Sequence, residues 1–177
     1  MENFWEELKK KQEEYRKLSA AELAELPYYD LVDACIALTE KYDAFGNSDE
    51  FKKAPIACQN FLAIFMLDAQ VNNGGFNQFF YNGYANLGID YVKAHQDVGL
   101  HGIAEMVKEA NDIYGKMMAE EKIAKRTGDL DADMQAFSDS YNDNPLNALD
   151  AGYYDADKER EEIVVKYIRE NINAFLN

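Results

Sequence analysis

Residues 55–82 read PIACQNFLAIFMLDAQVNNGGFNQFFYN, and this stretch decides the fold. From 55 to 71 it is apolar at nearly every helical position, which suits a helix enclosed by other helices on all sides. Pro55 fits the first turn, where its missing amide leaves no bond unmade. Asn72-Asn73-Gly74-Gly75 stops that helix, because paired glycines admit left-handed backbone and let neighbouring segments approach closely. Helical spacing resumes over 76–84, with Phe76 and Phe80 on one face and Phe79 widening it. An enclosed helix, a glycine corner and an aromatic helix imply the centre of an all-α, bundle-like domain.

Outward from this centre the pattern stays helical. Phe4, Leu8, Tyr15 and Leu18 recur at helical spacing, with Trp5 widening the stripe. Ser19 and Glu22 form a capping box for a short helix that stops before Pro27. A helix over about 29–45 places Leu31, Cys35, Leu38 and Tyr42 on one face and ends at Gly46-Asn47-Ser48. Further helices are expected at about 89–98, 101–126, 131–141 and 157–175. Lys122, Lys125 and Arg126 suit the C-terminus of the second of these, and Asn142-Asp143-Asn144-Pro145 is a break. The last helix buries Val164, Ile168, Ile172 and Phe175. No repeat or interdomain linker is evident, so residues 1–177 are expected to form one helical domain, with 1–26 as an N-terminal extension.

At 177 residues, with 47% apolar and 13% aromatic side chains, the chain folds without staples. Cys35 and Cys58 lie in apolar helical patterns and read as buried, reduced thiols. The N-terminus has neither a basic nor an apolar leader region, and the longest apolar run, 61–67, falls far short of the roughly 20 residues that span a bilayer. A cytoplasmic location and no membrane association are expected.

Charge carries the clearest hint of function. The net charge is −15, and residues 129–162 alone hold eleven acids against two bases, Lys158 and Arg160, for −9. Such a field repels nucleic acid and membrane phosphates and attracts cationic surfaces. The densest basic cluster, Lys9-Lys10-Lys11, is flanked by Glu6, Glu7, Glu13 and Glu14 and reads as an ion-paired exposed face, so direct nucleic-acid binding is not expected. Helix neighbours three or four apart stand about 5–6 Å from each other, close enough for acidic rows resembling spaced phosphates. Asp129 with Asp133, Asp155 with Glu159, and Glu159 with Glu162 have that spacing. A solvated acidic face that merely keeps the protein soluble has the same composition.

Catalytic and metal motifs are weak. An EF-hand loop begun at Asp129 would meet Met134 and Ser140 where Gly and Glu are required, and one begun at Asp155 meets Arg160 and Lys166. A helix N-cap followed by first-turn acids explains 129–133 better. His95 and His101, six apart, miss the spacing that puts two ligands on one helical face. Ser19, Ser48, Ser138 and Ser140 have no nucleophile-elbow context, and no phosphate loop occurs. No catalytic residue, metal site or cofactor is assigned. Within the corner, Asn77, Gln78 and Asn82 suit either a polar ligand or the capping of a tight helix–helix turn.

The run Asn72-Asn73-Gly74-Gly75-Phe76-x-Gln78-Phe79-Phe80-x-Asn82 resembles the hallmark of an acidic, all-helical DNA-mimic family, first catalogued as a domain of unknown function. The helical stretch over 98–114 is similar too, as are Ala151-Gly152-Tyr153-Tyr154 and Tyr167-Ile168-Arg169-Glu170-Asn171, so the resemblance covers about 28–177. It implies an all-helical, non-enzymatic regulator presenting carboxylates as DNA presents phosphates. Its partner would be a basic DNA-binding protein, either a transcriptional regulator or a nucleoid-type protein. The acids expected to substitute for phosphates are Asp129, Asp131, Asp133, Asp139, Asp143, Asp150, Asp155, Asp157, Glu159, Glu161 and Glu162. The rivals are an immunity-type binding module using the aromatic–amide corner at 72–84, and an enzyme with an unrecognised pocket. The sequence leaves open whether Phe4 and Trp5 pack within the chain or against a second copy in a homodimer.

Overall fold

A computed structural model describes residues 2–42 and 48–177. Its elements are α1 (Glu2–Tyr15), α2 (Ala20–Ala24), α3 (Tyr28–Thr39), α4 (Ser48–Lys53), α5 (Ile56–Tyr81), α6 (Tyr91–Val98), α7 (His101–Ala119), α8 (Leu130–Asp139), α9 (Asn147–Asp155), α10 (Asp157–Glu170) and α11 (Ile172–Leu176). Short 3-10 turns follow α3 at Glu40–Tyr42 and α5 at Tyr84–Asn86, and no strand occurs among the described residues. The fold is all-α. No helix is long and apolar enough to cross a membrane among the described residues.

The chain divides into two units. Met1–Leu62 with Glu161–Asn177 form the first, and Ala63–Arg160 the second. In the first, Leu23, Leu31, Cys35, Cys58, Ile168 and Phe175 are buried, and each leucine, isoleucine or phenylalanine withdrawn from water is worth about 1.5–3 kcal/mol. Phe61 and Phe175 meet edge to face with ring centres 5.6 Å apart, and Asn60 donates to the Tyr167 hydroxyl at 3.0 Å. The capping box forms as expected: Ser19 Oγ accepts the Glu22 amide, and Glu22 Oε2 accepts the Ser19 amide at 2.8 Å. Lys11 bridges Asp30 and Asp33 at 3.0 and 3.2 Å. Both cysteines are free and buried, and burial pushes the Cys58 thiol up to about 11 and that of Cys35 still higher.

In the second unit Met66, Leu67, Phe76, Phe79, Ala104 and Tyr153 are buried. Phe79 meets Tyr91 edge to face at 4.9 Å, and Phe80 stacks flat on Tyr114 at 4.1 Å. His95 is fully buried, with Nδ1 donating to the Tyr91 carbonyl at 2.7 Å, whereas His101 is exposed.

Several boundaries differ from the sequence reading. The helix expected over 29–45 ends at Thr39 and tightens into the 3-10 turn, while its expected stop, Gly46-Asn47-Ser48, lies largely outside the described residues. The 101–126 helix ends at Ala119, where Glu121 takes a left-handed conformation (φ 55°), so Lys122, Lys125 and Arg126 lie beyond it. Helix 157–175 breaks at Asn171. α4 and α9 were not expected, because each is short and carries acids where an apolar stripe would announce it. Phe4 and Trp5 are 61% and 57% exposed and contact each other edge to face, so the apolar stripe of α1 is buried only toward Tyr15.

Candidate functional site

The glycine corner is built from two backbone requirements. Gly74 and Gly75 interrupt α5 with non-helical dihedrals, and Gly75 sits at φ 67°, ψ −178°, a region that only glycine occupies at low energy. A Cβ on Gly75 would overlap Asp150 Oδ2 and stand 2.7 Å from its carboxyl carbon; one on Gly74 would stand 2.7 Å from the Tyr141 hydroxyl. The missing side chains are replaced by partners. Asp150 Oδ1 accepts the Phe76 amide at 2.9 Å, and the Tyr141 hydroxyl donates to the Gly74 carbonyl at 2.8 Å. Tyr154 donates to the Val71 carbonyl at 2.9 Å. These groups satisfy backbone atoms that the break in α5 leaves exposed.

The amides of the motif are used the same way. Asn72 donates to Asp68, and Asn73 to Gln78, both at 2.9 Å. Gln78 and Asn82 both donate to Gln70 Oε1. Asn77 is buried, donating to Ser140 Oγ at 2.8 Å and accepting from Asn144 at 3.0 Å. Tyr81 donates to the Asp133 carbonyl, lies 4.6 Å from the Phe137 ring, and carries the Arg126 guanidinium over its face at 4.8 Å. Arg126 also donates to Asn82. The base expected to cap α7 thus closes the corner. Segment 72–82 is the socket that receives α8 and α9, with its polar atoms turned onto its own chain.

The eleven acids of 129–162 have unequal surroundings. Asp129 caps α8, accepting the Ala132 amide at 2.9 Å. Asp133 accepts from the Thr127 amide, its hydroxyl and the Gly128 amide, and those bonds, the Thr127 amide first, hold its carboxyl below the usual range. Asp150 is half-buried, and burial raises its carboxyl despite the Phe76 amide. Asp157 pairs with Arg160 at 2.6 Å and is the one ion-paired acid of the window among the described residues. Asp131, Asp139, Asp143, Asp155 and Glu159 are exposed, with Gln135 donating to Asp139 at 2.9 Å. Glu161 is half-buried and Glu162 exposed, both in the first unit. The expected row of Asp155 and Glu159 is broken, because Asp155 closes α9 and Glu159 belongs to α10. Asp129 and Asp133 likewise turn to separate backbone amides rather than forming a free row.

Sequence reasoning missed the role of Arg160. Only 2% exposed, it donates to the Tyr153 carbonyl at 3.0 Å, pairs through Nε with Asp68 at 2.9 Å, and lies over the Tyr153 ring at 4.4 Å. Burial raises the Asp68 carboxyl while Arg160 and the Tyr153 hydroxyl pull it down. A lone arginine inside an acidic run was the available signal. No group of three or more His, Cys, Asp or Glu side chains placed to hold a metal ion occurs among the described residues.

The family model of DMP19-like proteins matches residues 52–171, about two thirds of the chain, and includes the whole glycine corner and the acidic window. The chain belongs to the DMP19-like family. The match begins later than the resemblance seen in the sequence, leaving α1, α2, α3 and α11 outside the DMP19-like region. No curated protein and no solved structure gives a match.

Proposed function

We propose that this DMP19-like protein is a non-enzymatic cytoplasmic regulator whose acidic helical surface occupies the DNA-binding face of a basic protein, either a transcriptional regulator or a nucleoid-type protein. The observation that carries the reading is a set of carboxylates left without a cationic partner. Asp131, Asp139, Asp143, Asp155 and Glu159 are exposed, and no lysine or arginine among the described residues pairs with them. Membership of a DNA-mimic family supports the same reading.

The expected phosphate substitutes narrow accordingly. Asp133, Asp150 and Asp157 serve the fold through Thr127, Phe76 and Arg160. Charge-assisted hydrogen bonds from partner arginines and lysines supply affinity to the remainder, and long-range attraction speeds encounter. Recognition through the amides at 72–84 is disfavoured, since Asn77 is buried and bonded on both sides.

The test neutralises the exposed set as D131N/D139N/D143N/D155N/E159Q and measures affinity for a DNA-binding protein captured by the wild type. Affinity is expected to fall by orders of magnitude at low salt, and the salt dependence to flatten. Unchanged affinity at every salt concentration would show that these acids do not form the binding surface.

A further inference from the structure

The second unit carries a groove of about 690 Å³ between the C-terminal half of α7 and residues 139–145. Ile113 and Met117, four apart on α7, line it with Pro145. The wall opposite α7 presents Asp139 and Asp143. On the α7 side Glu120 pairs with Lys122 at 2.7 Å, which cancels one charge of each sign, and Lys116 lines the groove as its one uncompensated base. Asp143 holds a left-handed backbone conformation (φ 51°), and Asp139 engages Gln135 through Oδ1 alone. The groove therefore combines an apolar strip of Ile113, Met117 and Pro145 with two carboxylates on the opposite wall, which outweigh Lys116 and leave the lining net negative.

We propose that this groove anchors an arginine side chain, set among apolar residues, from the protein partner. The inference rests on the DNA-mimic reading and deepens it. An arginine has an apolar stem that Ile113, Met117 and Pro145 can cover, and a flat, weakly hydrated fork that matches carboxylates. Lysine fits less well, because its ammonium holds water more strongly and offers no fork. An anionic occupant is disfavoured by the two aspartates and by the net charge of −15. Exposed acid rows attract any basic protein, whereas a lined pocket selects a particular side chain and concentrates binding energy there. Elsewhere on α8, Leu130 and Met134 are 73% and 64% exposed, with Asp131 exposed next to Leu130 in the chain. That mixture suits a protein partner rather than a chain of phosphates.

The test uses the full chain with a blocked Leu-Arg-Ala-Leu-Arg-Ala peptide, its lysine counterpart and free arginine amide. Binding is followed by fluorescence anisotropy of the labelled peptides and by the Met117 ε-methyl resonance. D139N/D143N removes the groove acids; E13Q/E14Q removes the same charge from the exposed side of α1, outside the proposed binding surface. Asparagine tolerates the left-handed backbone at 143 and still accepts from Gln135, so the groove variant keeps the fold. The expected result is about tenfold weaker arginine-peptide binding for D139N/D143N and less than about twofold for E13Q/E14Q. The lysine peptide and free arginine amide should bind more weakly than the arginine peptide, and Met117 should shift when the arginine peptide is added. Equal loss in both variants, or an unmoved Met117, would overturn the groove while leaving a diffuse mimic surface intact. Failure of the arginine peptide to bind the wild type at low ionic strength would likewise overturn the groove, whereas the mimic reading falls only if the five-acid variant keeps its affinity for the captured DNA-binding protein.

Discussion

Replacing Gly75 by alanine tests the corner most sharply. Its backbone lies at φ 67°, ψ −178°, where a residue bearing a Cβ costs about 1–3 kcal/mol. The added carbon also meets the Asp150 carboxylate and displaces it from the Phe76 amide, a charge-assisted bond worth about 1.5–3 kcal/mol. Together these give a destabilisation of roughly 3–5 kcal/mol. With a urea slope of about 2 kcal/mol/M, the midpoint should fall by about 1.5–2.5 M. D150A alone should cost only the bond. Because the clash needs both side chains, G75A/D150A should cost less than the two single changes added together. A G75A midpoint within about 0.3 M of wild type would refute the reasoning, as would strict additivity.

Three further outcomes follow from buried and bonded groups. Burial holds the His95 imidazole down at about 4 against an ordinary 6.5, so the unfolded chain binds the extra proton first as pH falls. Stability contributed by neutral His95 is therefore full above pH 6.5 and is lost progressively toward pH 4, by about 2 kcal/mol at pH 5; urea midpoints of wild type and H95N at pH 7 and 5 should show this slope only in the wild type. R160A leaves Asp68 and the Tyr153 carbonyl without their buried partner and should cost about 3–5 kcal/mol by denaturation, with R160M/D68N recovering much of the loss. D133N should accelerate hydrogen exchange at the Thr127 and Gly128 amides while leaving the α5 amides protected, and unchanged exchange would show that the 127–129 turn does not depend on that carboxylate.

The fold class was legible because its deciding features are local. The enclosed apolar run of 56–71, the Gly74-Gly75 break and the Ser19–Glu22 box are each written in adjacent residues. Asp129 as an N-cap was legible for the same reason. What escaped was long-range: the sequence places Asp150 in an acidic run, but only the fold sets it against Gly75. Arg160 likewise looks like one of two bases in a negative window, and its burial follows from Asp68 and Tyr153, 92 and seven residues away. The end of α7 was misread because Lys122, Lys125 and Arg126 satisfy a C-terminal preference, while Arg126 is drawn instead to Tyr81 and Asn82. Charge counts alone do not separate acids that hold the fold from acids that face outward. Their hydrogen bonds do.

The most direct test of the central claim immobilises the full chain, exposes it to cell lysate at low salt, and elutes with competing duplex DNA. The account predicts that DNA releases the retained proteins, that those proteins bind DNA themselves, and that the variant lacking the five exposed acids retains none of them. Retention that duplex DNA leaves undisturbed, or that survives loss of all five acids, would contradict it.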